Sequence, residues 1–90
     1  MDIVDLAPDV TADRRAIVFR LPGQRGDVEC SITREALEEH FWLPAGADQA
    51  RIFKAFADGR QRIVAVAERK VRLRPGELVQ LNIDDFRIRR

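Results

Sequence analysis

A chain of 90 residues has room for one domain and not for two. At 46% apolar and 34% charged it carries enough apolar surface to offset chain entropy, which excludes disorder throughout. The formal net charge of +1 falls short of the basic balance expected of a dedicated nucleic-acid binder. A lone Cys30 cannot close an internal disulfide and argues for a reducing compartment. The start, Met1 to Asp5, has neither a basic cluster nor an apolar run, so no signal peptide is expected. Every apolar stretch is well short of the roughly 20 residues a membrane span needs. A soluble, cytoplasmic protein is expected.

Residues 1–12 read as a loosely ordered lead-in, with Ile3, Val4 and Leu6 as a candidate edge strand. A single domain is predicted over 13–86, followed by a basic tail over 87–90. The first firm strand is Arg15 to Leu21, in which Ile17, Phe19 and Leu21 share one face. Pro22-Gly23-Gln24-Arg25-Gly26 supplies turn residues for a hairpin. In the returning strand Val28, Cys30 and Ile32 point inward, while Asp27, Glu29 and Ser31 point outward. Arg20 and Glu29 are expected to be neighbours on the outer face.

Thr33 is a suitable N-cap for a short helix, with Glu35 in the first turn and Leu37 and Phe41, joined by His40, on its inward stripe. Trp42 and Leu43 close it, and Pro44-Ala45-Gly46 breaks it. Asp48 caps a second helix, where Ile52, Phe53 and Phe56 recur on one face. Asp58-Gly59 interrupts that pattern, and Asp58 with Gln61 has the spelling of a capping box for a third helix. This helix runs to about Leu73, with Ile63, Val66, Ala67 and Val71 as its apolar face, and Pro75-Gly76 ends it. Leu78 to Ile83 forms the third strand, with Val79, Leu81 and Ile83 inward, and Phe86 folds back onto the core. The order β-β-α-α-α-β predicts a two-layer α+β domain, a small antiparallel sheet with helices on one face.

The candidate chemistry is sparse. A metal centre needs three converging ligands, and one Cys and one His on different elements do not supply them. No metal and no cofactor are expected. Cys30 alternates with core residues and reads as a small apolar side chain rather than a nucleophile. His40, in the last turn of a short helix, is favoured there by the helix dipole. With Trp42 it marks the one candidate small-ligand groove. Gly23 to Gly26 has a G-x-x-G spelling, but between two strands its glycines serve turn geometry. Asp84-Asp85 reads as a cap rather than as a carboxylate pair for catalysis.

Charge is segregated along the chain. Asp27, Glu29, Glu35, Glu38, Glu39 and Asp48 crowd one segment. Arg60, Arg62, Arg69, Lys70, Arg72 and Arg74 crowd the third helix, where most of them must face solvent. These six are the candidate contact residues, for a protein partner or for a nucleic-acid backbone. Nucleic acid is the less favoured partner, because no Tyr is present and the Phe residues sit at core spacing, leaving no stacking platform.

The chain resembles a bacterial family catalogued as domain of unknown function 1488. The resemblance rests on Asp13-Arg14-Arg15-Ala16-Ile17-Val18-Phe19, on Cys30-Ser31-Ile32-Thr33-Arg34-Glu35-Ala36-Leu37-Glu38 and on Phe53-Lys54-Ala55-Phe56. It extends through Arg62-Ile63 and Arg69-Lys70 to Asp84-Asp85-Phe86. It implies a small stand-alone α+β domain and brings no activity with it. The expectation is a non-enzymatic module that binds another protein or itself, with a weak nucleic-acid accessory role as the alternative and no membrane contact.

Overall fold

The computed structural model describes residues 8–22, 26–74 and 78–87. Its elements are β1 (Asp9–Val10), β2 (Ala16–Leu21), β3 (Val28–Thr33), α1 (Arg34–His40), α2 (Gln49–Asp58), α3 (Arg60–Leu73), β4 (Val79–Leu81) and a closing 3-10 helix (Ile83–Phe86). The four strands form one sheet in the order β1-β2-β3-β4, and the architecture is α+β as expected.

Alternation fixes the sheet's two faces. Ile17, Phe19, Leu21, Cys30, Ile32, Val79 and Leu81 are buried, whereas Arg20, Glu29 and Gln80 are exposed. In the β2–β3 register Phe19 lies opposite Cys30 and Ile17 opposite Ile32, so side chains on one face meet in pairs. Arg20 is opposite Glu29, as the alternation predicted. The helical layer contributes Ala36, Leu37, Ile52, Ala55, Phe56, Ile63 and Ala67 to the same core. Phe19 from the sheet meets Phe56 from α2 with ring centroids 5.2 Å apart.

The sheet differs from expectation in direction. β1–β2 and β2–β3 are antiparallel, but β3–β4 is parallel, with Cys30 opposite Val79 and Ile32 opposite Leu81. The reason is the crossover: three helices lie between β3 and β4 and return the chain to the end at which β3 began. Alternation specifies which face a strand buries and is blind to its direction. β4 also ends at Leu81, because Asn82 caps the 3-10 helix and draws Ile83 out of the strand.

At the other edge, Asp9 and Val10 pair with Val18 and Ile17, so the sheet starts upstream of Asp13. The suggested strand at Ile3, Val4 and Leu6 lies outside the described residues, as do the tip of the hairpin turn (23–25), Pro75-Gly76 and the last three residues. In the β1–β2 turn the Asp13 carboxylate accepts from the Thr11 hydroxyl and the Arg15 N–H. These bonds hold its pKa below the usual carboxylate value.

Two of the three predicted helix starts hold. Thr33 Oγ1 accepts from the Ala36 N–H, and an Asp48 carboxylate oxygen accepts from the Arg51 N–H. The third does not. Asp58 is the last residue of α2, where its carboxylate pairs with Lys54 Nζ at 3.0 Å, and α3 starts from Gly59 without a side-chain cap. The cap position itself falls on Gly59, one residue later than the spelling predicted, and space there is tight. A methyl group at Gly59 would overlap Cδ1 and Cε1 of Phe41, so this junction is where an aromatic ring lies directly on the backbone.

Cys30 is 1% exposed, and burial raises its thiol pKa from 9.0 to about 11. The fold thus favours the neutral thiol, and the stability this contributes is fully present below about pH 9. It should be lost as the pH rises through about 11. Denaturant titrations of the wild type and Cys30→Val across that window should show a steeper decline for the wild type. Parallel declines would place the thiol in contact with water.

Candidate interaction surface

Helix α3 turns Ile63 and Ala67 inward, and Val64, Val66 and Val71 are half-buried around them. Its cations fall into two groups. Arg62 and Lys70 are committed within the molecule. An Arg62 Nη donates to the Phe86 carbonyl at 3.1 Å, and the guanidinium lies 5.4 Å from the centre of the Phe41 ring and 5.6 Å from that of Phe86. Lys70 Nζ donates to the Gln80 carbonyl at 3.0 Å and pairs with Asp85 at 2.8 Å. These two side chains tie α3 to β4 and to the 3-10 helix. Arg60, Arg69, Arg72 and Arg74 are exposed, and the first three make no ion pair among the described residues.

At the C-terminal end of α3 lies a groove of about 370 Å³, lined by Lys70, Leu73, Arg74, Leu78, Val79 and Gln80. Leu73 is 73% exposed and Leu78 79% exposed. A single exposed leucine is ordinary, but two that share a concavity make an apolar floor. Among the described residues this lining holds two cations and no acid. Sequence reasoning named the cations and missed the leucines. The signal for Leu78 was available, since an inward Val79 and Leu81 place Leu78 with Gln80 on the opposite side.

The His40–Trp42 region is not brought together as a groove. The His40 Nε2–H donates to the Ile83 carbonyl at 3.0 Å, and the imidazole packs against Phe86 at 5.7 Å. Phe41 meets Phe86 edge-on at 5.2 Å. The carbonyl of Leu37 accepts from both Phe41 and Leu43 N–H groups, which ends α1 and reverses the chain. Trp42, between them, sits at φ 59° and is 90% exposed. A bulky side chain in left-handed backbone costs on the order of 1–2 kcal/mol, and here the indole gains no burial in return.

The remaining candidates also find structural partners. Cys30 Sγ lies 3.7 Å from the Val28 carbonyl inside the core. Asp85 accepts from the Asn82 N–H and Asn82 Oδ1 from the Asp84 N–H, so the acidic pair belongs to a cap, while Asp84 faces Arg87 at 3.4 Å. The G-x-x-G turn lies largely outside the described residues. Among the described residues every buried side-chain nitrogen and oxygen has a partner, no three His, Cys, Asp or Glu side chains gather as a metal site, and no helix is long and apolar enough to cross a membrane.

A family model described as "Protein of unknown function (DUF1488)" matches residues 4–80. The match takes in residues before Asp13 and stops short of Asp84-Asp85-Phe86. No curated protein and no solved structure matches the chain.

Proposed function

We propose that this chain, which belongs to the DUF1488 family, is a non-enzymatic module that binds another protein through the groove between α3 and β4. The observation that carries the reading is the exposure of Leu73 and Leu78 together on the groove floor. Covering a leucine side chain contributes roughly 1.5–3 kcal/mol before ordering costs. An exposed ion pair contributes about 0–1 kcal/mol. The leucines therefore set the affinity of such a contact, and the surrounding cations set its selectivity and approach rate.

A photo-crosslinking side chain in place of Leu73 is expected to form discrete protein adducts in a cell lysate. The same group in place of the exposed Gln61, near the other end of α3, is expected to form none of them. Adducts of twice the chain's mass would identify the partner as a second copy. An identical pattern from both positions, or none from Leu73, would remove the groove from consideration.

A further inference from the structure

We infer that this chain dimerises through the outer face of its sheet, a contact separate from the α3–β4 groove. All four helices, the closing 3-10 helix included, contribute buried side chains to the core on one face. The described residues thus leave the other face without a second layer. Its centre is low: Ala16 and Val18 of β2 and Ser31 of β3 are small and half-buried, which suits them to close approach by another sheet. Arg20 and Glu29 lie next to them as exposed cross-strand neighbours. Neither makes an ion pair among the described residues. One continuous row crosses the sheet as Asp9, Val18, Ser31 and Gln80.

This register points to a second copy as the occupant. A two-fold axis parallel to the strands, between β2 and β3, stacks each residue on the cross-strand neighbour of its counterpart. Arg20 then faces the second copy's Glu29, and Glu29 faces its Arg20. Val18 meets Ser31, and toward the edges the Asp9 carboxylate meets a Gln80 amide. Every favourable pair occurs twice, as isologous contact requires. An unrelated protein would need a base and an acid at the same spacing, whereas a second copy brings them. A nucleic-acid backbone fits worse, because the exposed charges of β1 to β4 on this face are two acids, Asp9 and Glu29, and one base, Arg20. With strands about 4.8 Å apart, four of them make a face roughly 15–20 Å wide, at the small end of specific interfaces. The dimer is therefore weak and reversible.

Sedimentation velocity of the full chain over a range of concentrations is the test. The wild type is expected to dimerise with a dissociation constant on the order of 100 μM, and added salt should weaken it. Arg20→Glu and Glu29→Arg should each weaken dimerisation about tenfold or more, because each sets like charges face to face twice. Mixing these two variants should restore dimers at wild-type strength, since acid again faces base at both places. The double reversal, Arg20→Glu with Glu29→Arg, should do the same within one chain. If either single variant loses its circular dichroism spectrum, Val18→Lys, which leaves both of these charges in place, is expected to abolish the dimer, and a dimer that persists overturns the proposal. A chain that stays monomeric at millimolar concentration overturns it, as does a dimer indifferent to the single reversals. Single variants that weaken the dimer but do not recover on mixing overturn the two-fold arrangement. A dimer that survives the reversals and dissociates on Leu73→Ser with Leu78→Ser places self-association at the groove, which overturns the sheet-face contact and leaves the groove reading standing.

Discussion

Phe19→Ala should lower the melting temperature by roughly 10–40 °C. Phe19 is fully buried on β2 and touches Phe56 across the interface of the two layers. Truncating it removes contact to sheet and helices at once, and neither neighbour can close the space without leaving its own register. Phe→Ala in such a site costs about 3–5 kcal/mol. A domain of this length has roughly 5–13 kcal/mol in total, and each kcal/mol moves its midpoint by about 4–8 °C. Phe19→Leu should recover most of the loss. Thermal unfolding followed by far-ultraviolet circular dichroism decides the matter, and a shift of only a few degrees for alanine would show that Phe19 is not the joint between layers.

Gly59→Ala is expected to destabilise by about 1–3 kcal/mol, opposite in sign to what helix propensity alone predicts. Gly→Ala near a helix normally gains roughly 0.5–1 kcal/mol by restricting the unfolded chain. The backbone at Gly59, with φ −98° and ψ 9°, is open to any residue, so conformational strain does not set the sign. The Phe41 ring does, because it occupies the space of the new methyl and is itself held against Phe86 and Arg62. In a Phe41→Leu background the same substitution should become neutral or stabilising. That sign reversal in a double-mutant cycle is the measurement to make. Equal costs in both backgrounds would mean that the glycine serves some other purpose.

The contrast between these two positions shows what a linear reading can recover. Phe19 sits in a period-two run, and a period is visible without neighbours, as are the caps at Thr33 and Asp48, whose partners lie within a single turn. Gly59 reads as an interruption of α2, because the ring that needs it belongs to another element, at Phe41. The direction of β4 escaped for a related reason: Val79 and Leu81 face inward whichever way the strand runs, and only the path of three helices decides. The basic residues of α3 were legible as a group, but their division was not. Arg62 and Lys70 are tied down by Phe86, Gln80 and Asp85, all downstream of the helix. The groove was hidden because Leu73 is the last residue of α3 and Leu78 immediately precedes β4. Only the packing of α3 beside β4 makes them neighbours.

The outward indole of Trp42 has a spectroscopic consequence. It is the chain's one tryptophan and there is no tyrosine, so near-ultraviolet emission comes from this single site. Water surrounds the ring in the native fold much as it does in the unfolded chain. Fluorescence is therefore nearly silent to denaturation, and a flat melting trace would not indicate an absent fold. That silence gives a low background: a blue shift on mixing with any macromolecule would report that something has settled over the end of α1.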